Sequence, residues 1–129
     1  MMHDIGMLRL DEDTVKRWEE TGDETDEAWR EHVTIGYNLA RGELEPSAAA
    51  AILHHHQKFD GSGFPSRTTF GGDQVPMEGS QIHIYARVVA AADLFDRLLH
   101  PLGRPEDADT LPTPVVRVLK QMQQQPYRD

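Results

Sequence analysis

Cysteine is absent from the 129-residue chain, which excludes a disulfide framework, a thiolate zinc ribbon and thiol catalysis. Long apolar runs are missing too, since no stretch reaches the roughly 18 apolar residues that a membrane-crossing helix needs. The start, Met1-Met2-His3-Asp4, lacks the basic and apolar regions of a secretory signal. Basic residues are in the minority, 13 Lys and Arg against 22 Asp and Glu, for a net charge of −9. A nucleic-acid polymer needs a basic footprint, and an anionic membrane surface attracts one, so both are disfavoured as partners. The length suits a single core. The expectation is therefore one cytoplasmic domain over residues 1–129, with its core at about residues 3 to 125.

The charge is concentrated. Ten of the acids and only three bases fall in residues 11–31, a pattern that reads as a solvated helix face with a linker, or else as a docking surface for a basic partner. Elsewhere the patterning is helical, and no sustained alternation of β-branched residues predicts a strand. Residues 1–9 read as the end of a helix, and residues 12–20 as a short acidic helix stopped by Thr21-Gly22. Ala28, Trp29, Val33, Gly36, Tyr37 and Ala40 recur at three and four, which predicts a helix from about Asp26 to Arg41 ended by Gly42. Pro46 opens the next helix, carried by four consecutive alanines and Ile52-Leu53 to the histidines. A loop of about 20 residues follows, over 60–79. The helix expected over Ser80–His100 has an apolar face of Ile82, Tyr85, Val88, Val89, Ala92, Phe95 and Leu99. A loop is expected over Pro101–Pro114. A final helix over Thr113–Gln124 turns Val115, Val118, Leu119 and Met122 inward, before a polar tail.

Against this background the histidines and two aspartates stand out. His3-Asp4 lies at the start, His32 in mid-helix, His54-His55-His56 at a helix end, and Asp93 and Asp96 share a helix face three residues apart. Each has an ordinary explanation: a surface dipeptide, an interfacial histidine, an exposed helix end, an ion pair between Asp93 and Arg97 four residues on. Taken together in one small helical domain, they form the nitrogen and carboxylate donor set that suits Fe, Mn or Zn.

Order and spacing sharpen this. The blocks His3-Asp4-Ile5-Gly6, Glu31-His32-Val33-Thr34-Ile35-Gly36, His55-His56-Gln57-Lys58-Phe59-Asp60-Gly61-Ser62-Gly63-Phe64-Pro65, and Arg87 to Asp96 with its Asp93-Leu-Phe-Asp96 end follow one another along the chain. This succession resembles the HD-GYP family of the HD superfamily of metal-dependent phosphohydrolases, over roughly residues 3 to 105. The resemblance implies an all-α, HD-domain helical bundle and a phosphodiesterase acting on cyclic di-GMP, a bacterial second messenger. It implies a centre of two divalent ions, or three, of iron or manganese. Carried over by motif, His3, Asp4 and Asp93 become ligands of the first ion, and Asp4, bridging, with His32, His55 and His56 become ligands of the second. Asp96 resembles the aspartate beside the substrate and the attacking water. Gly63-Phe64-Pro65 takes the place of the family's Gly-Tyr-Pro. Phe64 there would either stack on a guanine base or pack inside the protein. Arg104 falls in an Arg-Pro segment similar to one that approaches substrate phosphate. A net charge of −9 does not exclude so small an anion, because most of it lies in residues 11–31, outside these motifs.

The sequence departs from the family pattern in ways that bear on activity. It starts two residues before His3, so the bundle is expected to lack its first helices and the ligand one of them bears. Apolar faces left open by that loss predict a homodimer or a marginally stable chain. Met7 replaces the usual Lys and can donate no hydrogen bond. Gln57 replaces a common Glu, keeping the shape without the charge. The alternative to an enzyme is a catalytically degenerate regulatory module that binds a nucleotide or docks on a signalling protein. Action on mononucleotides is a weaker third reading, since a mononuclear site needs neither His55-His56 nor the long loop.

Overall fold

The computed structural model describes residues 2–100 and 115–124. Five α-helices carry the architecture: α1 (Glu12–Thr21), α2 (Glu27–Ala40), α3 (Pro46–His54), α4 (Ile84–Leu99) and α5 (Val115–Met122). A 3-10 segment, Met2–Arg9, precedes α1, and a second short one, Gly79–Gln81, precedes α4. The fold is all-α, as the patterning predicts. Helix α2 is its centre: the N-terminal segment, α1 and α3 all pack on it, α4 packs on α3, and α5 on α4.

Local chemistry sets most boundaries. Asp11 caps α1 by accepting from the Thr14 amide and hydroxyl at 2.8 and 2.7 Å. Gly22, at φ 59°, ends that helix in the left-handed conformation, its amide reaching the Trp18 carbonyl. Asp26 caps α2 through the amides of Ala28 and Trp29. Glu45 caps α3, and Pro46 occupies its first turn. Inside, Trp29 and Val33 of α2 meet Phe64 from the long loop, with Met7, Leu10, Trp18 and Leu53 packed around them. A second cluster joins Ala40 to Ala49 and Ile52 of α3.

Four expectations are corrected. Residues 2–9 form a 3-10 segment with a kink at Asp4 (φ −97°, ψ 18°), not the last turns of an α-helix. The cause is the close approach at Gly6, where a Cβ would overlap the His32 carbonyl oxygen, so the segment lies flat against α2. The loop over 60–79 contains a two-residue antiparallel hairpin, Arg67–Thr68 with Gln74–Val75, too short for any alternating pattern to announce. Helix α4 starts at Ile84 rather than Ser80, because the His83 ring caps it by accepting from the Tyr85 amide. Its buried stripe is Ala86, Ala90 and Leu94, while Tyr85, Val88 and Ala92 are exposed. On α5 only Val118 is buried, and Val115 and Leu119 are exposed. The predicted loop over Pro101–Pro114, the Thr113 start of the last helix and the tail beyond Gln124 lie outside the described residues. No described helix is long and apolar enough to cross a membrane.

Candidate metal centre

Four segments bring the chemistry-bearing residues together. His3 and Asp4 come from the kinked N-terminal segment, His32 from mid-α2, His55 and His56 from the end of α3, and Asp93 from α4. Two groups result, each with its donor atoms within 4.8 Å of one another: Asp4, His32, His55 and His56, and His3, Asp4 and Asp93. Asp4 belongs to both. Its Oδ1 is 3.3 Å from His55 Nε2 and 3.5 Å from His32 Nε2, and its Oδ2 is 3.1 Å from His3 Nε2. Asp93 Oδ1 lies 3.5 Å from His3 Nε2. The kink at Asp4 breaks the regular helical offset between neighbours and lets both side chains serve adjoining groups.

The backbone dictates how the rings present themselves. His32 Nδ1 is 2.6 Å from the Trp29 carbonyl, and His55 Nδ1 is 2.7 Å from the Ile52 carbonyl. A carbonyl only accepts, so each Nδ1 carries the proton, and a neutral ring then turns a bare Nε2 inward. Burial keeps His32 neutral, its pKa lying below the ordinary histidine value. His56 is pushed down further, first by burial and then by the neighbouring His55 and His32 rings. Burial alone would favour the neutral acid at Asp4, but the contacts with His3 and His55 win, and the carboxyl is held well below its usual range. His3, beside Asp4 and Asp93, is raised to about 9.

Bare nitrogens facing a carboxylate oxygen are acceptors facing an acceptor. His55 Nε2 is buried without a hydrogen-bond partner, and His56 Nε2 sits 3.2 Å from His32 Nε2, while His3 Nε2 lies between the carboxylates of Asp4 and Asp93. A cation in place of a proton gives the inward Nε2 atoms and the carboxylate oxygens of each group a common partner, and the donor set of imidazole and carboxylate suits Fe, Mn or Zn. The residues therefore fit a divalent ion at each group.

Beside the centre is a cavity of about 160 Å³ lined by Asp4, Met7, Trp18, Trp29, His56, Asp93, Asp96 and Arg97. Trp18 stacks on Trp29 with centroids 3.8 Å apart, making one wall apolar. Asp96 stands at the mouth, 75% exposed, with His100 Nδ1 3.2 Å from its Oδ1. The Gly63-Phe64-Pro65 loop sits on the other side of His56. Phe64 is buried and stacks on the His56 ring at 4.7 Å, and Arg30 covers its ring at 4.7 Å. Gly63 has no room for a Cβ, which would overlap the His56 carbonyl oxygen. With Pro65, these residues line an open cleft of about 340 Å³ with Arg30 and Glu31, away from the ligand groups. Arg104 lies outside the described residues.

Two contacts go beyond what the sequence conveys. Gln57, buried, donates from its amide nitrogen to the Pro65 carbonyl, something a Glu carboxylate cannot do. Glu24, one of ten acids in residues 11–31, pairs with Arg97 at 2.6 Å and with Lys58 at 3.3 Å. Its partner Arg97 lies on α4, 73 residues away, so nothing near Glu24 in sequence marks it.

Several known proteins are similar to this chain in sequence. The chain resembles the cyclic di-GMP phosphodiesterase response regulator RpfG of Xanthomonas campestris, 31% identical over 101 residues, which are 76% of this chain and 24% of that protein. It also resembles the 3'3'-cGAMP-specific phosphodiesterase 2 of Vibrio cholerae, 29% identical over 75% of this chain and 17% of the relative. A cyclic di-GMP phosphodiesterase of Thermotoga maritima is 28% identical over 76% and 25%. The chain thus spans a quarter or less of the length of these relatives. The family model described as HD domain matches residues 1–98, from before the His3-Asp4 pair to beyond Asp96. The paired ligand groups sharing Asp4 fall entirely within that match, and the chain belongs to the HD domain family.

Proposed function

We propose that this chain is the catalytic part of an HD-GYP-type phosphodiesterase that hydrolyses cyclic di-GMP in bacterial cytoplasmic signalling. The observation that carries the reading is the pair of ligand groups meeting at Asp4, beside a cavity that Asp96 and Arg97 help to line. His3, Asp4 and Asp93 would hold one ion, and Asp4, His32, His55 and His56 the other, with iron or manganese the ions to expect. Two such ions supply positive charge at the phosphoryl oxygens and acidify water.

The chain's own residues complete the chemistry. Neutral His32 and His56 add no charge of their own, and only a few carboxylates offset the bound cations, so the centre stays attractive to an anion. Met7, Trp18 and Trp29 give the cavity an apolar side that limits water. The exposed Asp96 carboxylate, which lines this cavity, would take a proton from the attacking water as the new P–O bond forms and return it to the leaving sugar oxygen as the ring ester bond breaks. His100, against Asp96, can hold that carboxylate in place. The V. cholerae relative named for 3'3'-cGAMP makes a mixed cyclic dinucleotide the second substrate to test.

The test is incubation of the chain with Mn²⁺ or Fe²⁺ and either cyclic di-GMP or 3'3'-cGAMP, with products separated by chromatography. Metal-dependent ring opening, lost in Asp4→Ala, is expected. Tight nucleotide binding without turnover would instead support the regulatory-module alternative, and neither binding nor turnover would contradict both.

A further inference from the structure

Arg97 sits one turn beyond Asp93 on α4 and reaches two carboxylates. Its Nε is 3.0 Å from Asp93 Oδ2, and its Nη1 is 2.6 Å from Glu24 Oε1. Glu24 is itself fixed from two further directions: Lys58 Nζ lies 3.3 Å from its Oε2, and Arg30 Nε donates to its backbone carbonyl at 2.6 Å. Burial disfavours the Glu24 charge, yet Arg97 and Lys58 more than offset this and hold its carboxyl below the usual range. Asp93 thereby has its two oxygens divided. Oδ2 is ion-paired with the Arg97 guanidinium, a close charge contact rather than an aligned hydrogen bond, while Oδ1 faces His3. All three side chains of the relay are mostly covered, with Asp93 14% exposed, Arg97 24% and Glu24 29%.

A carboxylate ligand with a free χ2 torsion presents either oxygen, or none, to an ion. Binding one oxygen to a planar, always charged guanidinium removes that freedom, and a second carboxylate on the same guanidinium fixes the guanidinium in turn. We propose that Arg97 is a positioning residue that presents Asp93 to the ion of the His3–Asp4–Asp93 group, and that Glu24 holds Arg97 for this purpose. The acidic segment before α2 thus contributes to the centre from 73 residues away in sequence. The proposal rests on the reading that this trio holds an ion.

The experiment is a Mn²⁺ titration of the full chain followed by the paramagnetic resonance signal of the free ion, with melting of the metal-free protein measured alongside. Arg97→Ala should weaken one class of site by about 10- to 100-fold, the range typical of losing a partner that orients a ligand, and leave the other class within about twofold. Glu24→Gln should weaken the same class in the same direction by less, and it decides the matter if Arg97→Ala does not fold. Arg97→Lys keeps the charge but cannot span both carboxylates, so it should rescue only partly. The control is Asp93→Asn. If Asp93→Asn loses one class while Arg97→Ala and Glu24→Gln leave that class unchanged or tighter, the positioning role is overturned alone. If Asp93→Asn itself changes nothing, the ion reading of the trio fails and the proposal falls with it. Equal weakening of both classes with a lower melting temperature, or full rescue by Lys, would also overturn it.

Discussion

Asp4 is the residue on which both ligand groups depend, since its two oxygens face different histidines. Asp4→Ala should therefore remove metal from both groups, whereas His32→Ala should spare the His3–Asp4–Asp93 group; elemental analysis of the purified variants distinguishes the two. At Gln57 the amide is required by the Pro65 carbonyl it faces. Gln57→Glu places a buried carboxylate against that carbonyl and should cost about 1–3 kcal/mol, read from denaturant melts at neutral pH. Most residues of the candidate centre were legible through the resemblance of their order and spacing to the HD-GYP motifs, since each taken alone has an ordinary explanation. Glu24 and Arg97 were not legible together. An acid among ten acids has no distinguishing neighbour in sequence, and its partner lies on a helix far along the chain.

At the scale of elements, helix ends were the most readable feature, because caps are local chemistry. Asp26 needs only the amides of Ala28 and Trp29 to begin α2, and Gly22 needs only its own backbone freedom to end α1. Helix faces were read less well. On α4 Ala86, Ala90 and Leu94 go in while Tyr85, Val88 and Ala92 stay out, a choice of face made by packing partners that the apolar pattern does not carry. The N-terminal segment was misread for a similar reason, since its conformation follows from contact with α2 at Gly6. Gly6→Ala should force that contact apart, cost about 1–3 kcal/mol as overpacking does, and weaken metal binding by displacing His3 and Asp4; a melt and a Mn²⁺ titration of the variant check both. The loop between α1 and α2 is tethered by Glu24, whose folded pKa is depressed. The stability this tether adds is fully present above the ordinary glutamate value of about 4.3 and is lost as pH falls through the lower folded value. Melting temperatures of wild type and Glu24→Gln measured from pH 6 down to 3 should converge at the acid end and separate above it.

At the scale of the molecule, the candidate centre joins the N-terminal segment, α2, the end of α3 and α4, which otherwise meet through a modest core. An ion bound by the folded chain and not by the unfolded one stabilises in proportion to the logarithm of its concentration over its dissociation constant. Mn²⁺ should raise the melting temperature progressively, and a chelator should reverse the gain. The all-α class followed from patterning alone, whereas the convergence of four segments at Asp4 depends on long-range packing and was expected only through the family resemblance. The account stands on that convergence. Its most direct test is the metal content of the chain reconstituted with Mn²⁺ or Fe²⁺, measured by elemental analysis beside Asp4→Ala. About two ions per wild-type chain and almost none in the variant are predicted; a wild-type chain that holds no ion, or a variant that keeps its full complement, would contradict the account.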